Sequence, residues 1–271
     1  MKTYYFVFCK ESLLVEQRND GTYSVPLSDE PPTNVKPWTT VMNITPLDGT
    51  PVKAYSTDNA NANGNFVPLR QSYYLLPLEQ YIKAGKCAEL LYWNSNTRYC
   101  GVCGGLMKFH TDISKRCEQC GKEVWPQVSP AIIVRITRGK DEILMARAHN
   151  FRRDFYGLIA GFVETGETLE ETVKREVSEE TGLNVKNIRY FESQPWPYPC
   201  GIMVGFTAEY DSGQIHIQHE ELQNVAWFRR DRLPNLPEPL SIARHLIDDW
   251  LNNKKDEKTI SSDKIHQDNS Q

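Results

Sequence analysis

The sequence contains no apolar run that approaches the roughly 20 residues of a membrane-spanning helix. Its first residues, Met1 to Phe8, are apolar and aromatic, but they lack the basic region and long apolar stretch of a signal peptide. These two absences argue against a membrane protein and against a secreted one. We therefore expect a cytoplasmic location.

An excess of positive charge is also missing. The chain has 31 lysines and arginines against 35 aspartates and glutamates, a formal net charge of −4. Because general nucleic-acid binders usually carry a basic face, this balance favours a different class of protein. It is compatible with an enzyme that recruits cations through clustered carboxylates.

The cysteines do not form the even set that a disulfide framework requires. There are seven, and three of them, Cys9, Cys87 and Cys200, are scattered along the chain. The other four form two Cys-x2-Cys pairs separated by thirteen residues: Cys100, Cys103, Cys117 and Cys120. Two such knuckles are typical of a tetrahedral four-thiolate zinc site, and a closed coordination sphere of this kind is structural. The alternative is a zinc ribbon that reads nucleic acid, which the nearby basic residues Lys108, Lys115, Arg116 and Lys122 keep open.

The distribution of strand-like and helix-like patterns predicts an α+β protein. Residues 1–97 read as a mixed α/β module with no chemical motif, which favours a scaffold or dimerisation role. Residues 98–124 hold the cysteine ribbon, and residues 125–251 alternate short strands with two helical segments, as in a sheet covered by helices. The polar residues 252–271 have almost nothing to bury, so we expect a disordered tail.

One of these helical segments has clear local boundaries. Thr168 and Glu171 form a capping-box pattern that starts a helix, and Gly182 is well placed to end it. Leu169, Val173 and Val177 recur at helical spacing and predict the buried stripe.

The acidic residues of this helix do not all lie opposite the stripe. Glu176, Glu179 and Glu180 fall within about one 100° arc, and Glu180 follows Val177 by three residues, so that it continues the apolar stripe. Clustered carboxylates on the core side repel one another and are costly to desolvate without a counter-charge. Divalent cations such as Mg²⁺ or Mn²⁺ supply that charge, because they prefer hard oxygen ligands. An exposed acidic helix remains the alternative reading.

The whole segment resembles the Nudix box, Gly-x5-Glu-x7-Arg-Glu-apolar-x-Glu-Glu-x-Gly-apolar. The positions that match are Gly161, Glu167, Arg175, Glu176, Val177, Glu179, Glu180, Gly182 and Leu183. The resemblance implies a Nudix α/β/α sandwich in residues 125–251 and hydrolysis of a nucleoside diphosphate linked to another group. It also implies that Glu176, Glu179 and Glu180 bind the metal and that Arg175 orients these carboxylates. Glu221 lies beyond the box, and the subfamily resemblance described next implies that it is a further ligand; a solvated acid next to Glu220 is the alternative.

The run Ser193–Pro199 follows the box and alternates prolines with aromatic residues. Such a run cannot continue a central strand, but its stiffness could hold aromatic faces for stacking; a plain surface loop is the alternative. With the cysteine ribbon, it resembles the signature of the NADH pyrophosphatase subfamily of Nudix enzymes. Tyr198 and Gly201 depart from that signature, where phenylalanine and serine are usual. Upstream, Trp125 and Gln127 replace the tyrosine and arginine that are usual in the subfamily.

The subfamily resemblance implies a homodimer with one structural zinc per chain and catalytic Mg²⁺ or Mn²⁺. The expected reaction splits NADH or NAD into nicotinamide mononucleotide and AMP, and some members also remove NAD caps from RNA. The residues expected to contact the substrate are Trp125, Ile133, Phe162, Gln194, Trp196, Tyr198, Met203 and Ala243. Two alternatives remain: a Nudix hydrolase of another substrate such as ADP-ribose, and a non-enzymatic regulator that pairs a Nudix-like sensor with a nucleic-acid-binding zinc module.

Overall fold

The computed structural model describes residues 2–58, 65–149, 155–218 and 220–252. The chain divides into two compact units, Met1–Val128 with Trp196–Gly201, and Ser129–Pro195 with Ile202–Gln271. The finer division at residues 97, 124 and 251 stays a prediction. The expected disordered tail falls outside the described residues, apart from residue 252, which is helical.

The first unit contains a mixed sheet covered by a helix, as the sequence predicts for its amino-terminal module. Within the described residues this sheet has seven strands: β1 (Thr3–Cys9), β2 (Ser12–Gln17), β3 (Tyr23–Ser24), β4 (Leu27–Ser28), β5 (Met42–Leu47), β6 (Thr50–Ser56) and β7 (Asn65–Pro68). β1 pairs in parallel with β6 and antiparallel with β2. A short helix, α1 (Leu69–Ser72), precedes the long helix α2 (Leu78–Asn96), which packs on β1, β5 and β6.

Helix α2 is continuous through Gly85, a residue that costs helix stability. A Cβ at Gly85 would lie 3.1 Å from Cγ of Pro197, so the absence of a side chain lets the proline ring approach the helix closely. The weak position within the helix thus coincides with a packing contact to the proline-rich run.

The cysteine ribbon of the first unit is a separate small sheet. Its strands are β8 (Met107–Thr111), β9 (Ser114–Cys117) and β10 (Glu123–Val124), paired antiparallel in the order β10-β9-β8. Its buried cluster contains only Cys100, Met107 and Cys117, with Val124 packed against it. So small a core gives the ribbon little stability of its own.

The second unit is an α/β/α sandwich. Its sheet contains β11 (Ser129–Arg138), β12 (Glu142–Ala148), β13 (Ile159–Phe162), β14 (Leu183–Trp196), β15 (Gly201–Gly213) and β16 (Leu222–Arg229), in the order β14-β15-β11-β12-β16 with β13 paired to β11. The helices are α3 (Leu169–Thr181) and α4 (residues 242–252). Along β11, Ile132 and Val134 belong to the hydrophobic cluster that contains α3, whereas Ile133 belongs to the cluster that contains α4. Successive side chains of β11 point to opposite faces of the sheet, so the strand contributes to one hydrophobic core on each face.

Two strand predictions need correction. The sequence pattern predicts a strand over Tyr156–Val163, but β13 covers only Ile159–Phe162, because Gly157 forms an isolated bridge with Ala146 of β12 instead. The strand predicted over Ile188–Ser193 extends over Leu183–Trp196. Because β14 lies at the end of the sheet order, it accommodates Pro195 as an edge strand can.

Among the described residues, no helix combines the length and the apolar character that crossing a membrane would require.

Candidate active site

Helix α3 begins and ends where the sequence predicts. The Thr168 hydroxyl accepts a hydrogen bond from the backbone N–H of Glu171 at 3.2 Å, and the Glu171 carboxylate accepts one from the Thr168 N–H at 2.8 Å. Gly182 ends the helix with φ 71°, a left-handed conformation that glycine adopts without strain. Val173 and Val177 are fully buried in the core. Burial of these two valines fixes the rotation of the helix about its axis, and with it the direction of its glutamates.

Arg175 connects the carboxylates of the site. Its Nε donates to Glu167 at 2.6 Å, and its Nη1 donates to both Glu176 at 2.8 Å and Glu179 at 3.1 Å. Its Nη2 donates to the carbonyl oxygen of Phe162, at the end of β13, at 3.0 Å. Arg175 lowers the pKa of Glu167 to about 2, so Glu167 stays ionised and holds the guanidinium in place. The arginine is thus clamped between strand and helix while it reaches the glutamates.

Two glutamates of the helix, Glu176 and Glu180, are buried. The burial of Glu180 agrees with its predicted position on the core side of the helix. Glu176 is 9% exposed and Glu180 is 5% exposed, whereas the Glu179 side chain is 55% exposed. Burial raises the pKa of Glu180 to about 8, and the charges of Glu176, Glu221 and Glu179 contribute to the rise. Burial also raises the pKa of Glu176, although the hydrogen bond from Arg175 opposes it. The site therefore favours additional positive charge next to these carboxylates.

Gly161 makes room for one of the buried carboxylates. A Cβ built on Gly161 would lie 2.0 Å from Cδ and Oε1 of Glu176, far inside van der Waals contact. Gly161 belongs to β13, where it pairs with Ile132 of β11. The fixed glycine of the box thus has a steric role, because the Glu176 carboxylate occupies the place of a side chain at this position.

Glu221 lies beside the helix glutamates. It directly precedes β16, and its charge contributes to the raised pKa of both Glu176 and Glu180, whereas neighbouring Glu220 has no such influence. The four carboxylates do not converge tightly: within the described part of the chain, only the cysteine set brings three or more metal-ligating atoms within 4.8 Å of one another. The glutamates therefore form a looser group around Arg175 and the end of β13.

The four cysteines of the two knuckles form one compact group, in which all sulfur atoms lie within 4.8 Å of one another. The Sγ atoms of Cys100 and Cys120 are 3.6 Å apart, and those of Cys103 and Cys117 are 3.5 Å apart. A tetrahedral zinc site with Zn–S bonds of about 2.3 Å has sulfur atoms about 3.8 Å apart. Backbone N–H groups of Cys120 and Gln119 lower the pKa of the Cys117 thiol to about 7, which favours the thiolate form. The group can hold one metal ion.

Two models of Nudix-related domains match the chain, one in its amino-terminal part and one in its carboxyl-terminal part. The model of the NUDIX domain matches residues 127–251, and that of the NADH pyrophosphatase-like rudimentary NUDIX domain matches residues 2–93. Over 185 residues the chain is 43% identical to the NAD-capped RNA hydrolase NudC of Chromobacterium violaceum, covering 69% of that protein and 68% of this chain. The chain belongs to the NADH pyrophosphatase family of Nudix hydrolases. The Nudix box resemblance and the assignment as a hydrolase are thereby confirmed.

Two further comparisons agree with this membership. The Pseudomonas aeruginosa protein of the same name is 44% identical over 187 residues, 67% of its length and 69% of this chain. The crystal structure of a NUDIX hydrolase from Nitrosomonas europaea matches 59% of this chain and 93% of its own with a TM-score of 0.51. At 18% identity that structure supports the Nudix fold alone.

Five of the residues expected to contact the substrate of this Nudix hydrolase lie in the second unit. Ile133, Met203 and Ala243 share the hydrophobic cluster that contains α4, and Ile133 is only 6% exposed. Phe162 is 65% exposed at the end of β13, next to the carbonyl that holds Arg175. The Gln194 amide donates to the Leu240 carbonyl at 2.8 Å and accepts from the Ile242 N–H at 2.9 Å, so it ties β14 to the start of α4.

The other three expected contact residues lie in the first unit. Trp125 is 55% exposed, and Trp196 meets Tyr198 edge-on with ring centroids 5.1 Å apart. The guanidinium of Arg70 lies 5.2 Å from the centroid of the Trp196 ring, and the hydroxyls of Tyr81 and Tyr198 are 3.2 Å apart. Nothing in the sequence marks Arg70 or Tyr81, because these contacts join residues more than a hundred positions apart.

Proposed function

We propose that this Nudix hydrolase cleaves the central pyrophosphate bond of NADH and NAD to AMP and the corresponding nicotinamide mononucleotide, reduced from NADH and oxidised from NAD. We also propose that it removes NAD caps from RNA. The observation that carries the chemistry is the pair of buried carboxylates, Glu176 and Glu180, next to the clamped Arg175. The substrate is supported by the two family models and by the relatives named as NAD-capped RNA hydrolases.

The glutamates Glu176, Glu179, Glu180 and Glu221 would hold divalent cations, and we propose Mg²⁺ or Mn²⁺. Among the described residues, no donor contacts the Glu180 carboxyl group, so its oxygen atoms are available to a cation. Bound there, the metal would supply a more acidic water molecule and would neutralise the charge of the pyrophosphate. Arg175 keeps Glu176 and Glu179 in a fixed orientation, which reduces the rearrangement needed to receive the ion.

We also propose that the four cysteines hold one structural zinc ion per chain. The ribbon has a very small core, so binding of the ion would supply much of its folding free energy. The structure describes all seven cysteines, and none of them forms a disulfide, which supports the cytoplasmic location expected from the sequence.

The proposed homodimer is supported by exposed apolar side chains in the first unit. Leu78 and Ile82, one turn apart on α2, are 58% and 57% exposed, and neighbouring Tyr74 is 55% exposed. Exposed apolar groups of this size that lie close together commonly mark a protein interface. Light scattering should give twice the chain mass for the wild type, and Ile82→Glu should shift the population to monomer.

The decisive experiment incubates the purified protein with NADH, NAD, ADP-ribose or NAD-capped RNA in the presence of Mg²⁺ or Mn²⁺. Chromatography of the products should give reduced nicotinamide mononucleotide and AMP from NADH, and nicotinamide mononucleotide and AMP from NAD. ADP-ribose has the same pyrophosphate but no nicotinamide, so equal cleavage of both would favour the alternative of a broader Nudix hydrolase. No cleavage of any substrate would favour the non-enzymatic alternative.

The carboxylate roles can be tested with isosteric variants. Glu179→Gln and Glu180→Gln should each lower kcat by orders of magnitude while the fold is retained, because each removes a negative ligand. Glu221→Gln should also lower kcat, and Glu220→Gln is its matched control, since this exposed neighbour has no influence on the cluster. Equal activity of the Glu220 and Glu221 variants would remove Glu221 from the metal site.

A further inference from the structure

The first unit contains an open cavity of about 590 Å³. Its walls come from the segment around Trp38, from the carboxyl end of α2, and from strands β8 and β9 of the cysteine ribbon. This volume lies within the range of small-molecule binding sites. None of the lining residues belongs to the Nudix helix or to the residues expected to contact NADH.

The cavity concentrates positive charge in a chain that is acidic overall. It is lined by four cationic residues, Lys36, Arg98, Lys108 and Lys115, and by one acidic residue, Asp58. In a protein with a net charge of −4, such a local excess attracts anions.

The four cations are not equally engaged within the protein. Lys36 pairs with Asp58 at 3.4 Å, and Lys108 pairs with Glu118 at 2.5 Å. The Arg98 guanidinium has no hydrogen-bond or ion-pair partner in the part of the chain that the structure describes. Arginine is well suited to phosphate, because its planar fork can donate two parallel hydrogen bonds.

The positive charges of Lys115 and Arg98 are close enough to repel each other. Its ammonium is buried and donates to the backbone carbonyls of Asn94 at 2.9 Å and Thr97 at 3.2 Å, near the carboxyl end of α2. Burial and then the positive charge of Arg98 lower the pKa of Lys115 to about 8. An anion bound next to Arg98 would relieve this repulsion.

The cavity also presents aromatic surface to solvent. Trp38 is 77% exposed and Phe109 is 41% exposed, and both line the cavity. The Lys36 ammonium lies 5.5 Å from the centroid of the Trp38 ring. An exposed ring in the same cavity as an unpaired arginine is a combination that binds nucleotides, because a base stacks on the ring while the guanidinium pairs with the phosphate.

We propose that this cavity binds a nucleotide unit, with the base stacked on Trp38 and the phosphate paired with Arg98. Two sources supply such a unit, a free mononucleotide and one residue of a single-stranded RNA. The inference concerns binding in the first unit and does not depend on the proposed hydrolysis.

The test uses the full-length protein and a short RNA with a 5′-hydroxyl end, labelled at its 3′ end with fluorescein. This RNA has no pyrophosphate bond, so it is not a substrate of the proposed reaction. Fluorescence polarisation measures its Kd, and competition with AMP distinguishes the two sources. Displacement by AMP assigns a free nucleotide to the cavity, and RNA binding that resists AMP assigns the nucleotide of an RNA chain.

Trp38→Ala and Arg98→Ala should each weaken binding by about tenfold or more, the order expected for loss of a stacking ring or a phosphate contact. Arg189→Ala is the matched control, because this exposed arginine lies in the second unit, on β14. Glu180→Gln should also bind the RNA with unchanged affinity, which separates the cavity from the active site. Thermal unfolding and NADH cleavage by Trp38→Ala and Arg98→Ala should match the wild type.

The inference is overturned if the wild type binds neither the RNA nor AMP, or if both cavity variants bind with wild-type affinity. A wild type that fails to cleave NADH but binds the RNA through Trp38 and Arg98 would refute the proposed function alone.

Discussion

Replacing Gly161 with alanine tests whether the position of the Glu176 carboxylate controls activity. The added Cβ would lie 2.0 Å from the carboxylate, whereas ordinary van der Waals contact begins at 3.4 Å, so the carboxylate must move by about 1.4 Å. The backbone at Gly161 is outside the left-handed region, so alanine introduces no conformational strain of its own. The methyl group therefore acts through Glu176.

A displacement of this size should be costly for catalysis and mild for stability. A misplacement of about 1 Å in a catalytic group can lower the rate by about a hundredfold, so we expect kcat for NADH to fall by that order. The displaced carboxylate also loses its 2.8 Å hydrogen bond from Arg175. Loss of one charge-assisted hydrogen bond costs about 1.5–3 kcal/mol of unfolding free energy, partly offset by about 0.5–1 kcal/mol from replacing glycine within a strand.

Steady-state cleavage of NADH, with AMP quantified by chromatography, gives kcat and KM for the variant. Gly101→Ala is the control, because a Cβ there meets no atom within 4 Å and its backbone is not left-handed. In a Glu176→Ala background, the Gly161→Ala change should have little further effect, since the group it displaces is absent. A Gly161→Ala enzyme with kcat within about threefold of the wild type would refute this reasoning.

Three other predictions concern pH, the cysteine ribbon and substrate selectivity. Without divalent cations, the free energy of unfolding should fall as pH rises from 4.5 to about 8, because the raised pKa of Glu180 makes the folded state bind more protons than the unfolded chain. Denaturant titrations at several pH values should show this slope. The Glu180→Gln variant should have a flatter slope, and Mg²⁺ should oppose the fall in the wild type. Cys117→Ser should lose bound zinc in elemental analysis and lower the thermal midpoint, whereas Cys200→Ser should do neither. Trp196→Ala should lower kcat/KM for NADH by about ten- to a hundredfold and should have less effect on kcat/KM for ADP-ribose. Trp38→Ala should leave both values unchanged. An equal loss on both substrates would show that Trp196 does not contact the nicotinamide.

The parts of the fold that could be predicted depend on local signals. The bounds of α3 agree with the structure because Thr168, Glu171 and Gly182 satisfy backbone groups within a few residues. The burial of Glu180 follows from its spacing to Val177 on the same helix. Where the chain changes pairing partner, as at Gly157, the strand pattern alone gives the wrong boundary.

The contacts that could not be predicted join residues distant in sequence. Strand and helix packing determines the close approach of Glu176 to Gly161. It also determines the contact between the Arg70 guanidinium and the Trp196 ring. The box pattern includes both Gly161 and Glu176, but it does not indicate that one requires the other. Only the structure gives the steric reason for the glycine.

Net charge is an average over the chain, and it says little about any single surface. An excess of acidic residues argues against a protein whose whole surface attracts nucleic acid. The cavity beside α2 is nevertheless lined by four cationic residues and one aspartate. The acidic surplus includes the glutamates of the Nudix box, which lie in the other unit and would be neutralised by divalent ions. Since the Debye length at physiological salt is about 8 Å, only charges near a ligand affect its binding strongly. Binding at the cavity should therefore depend on Arg98 and its neighbours rather than on the overall charge of −4.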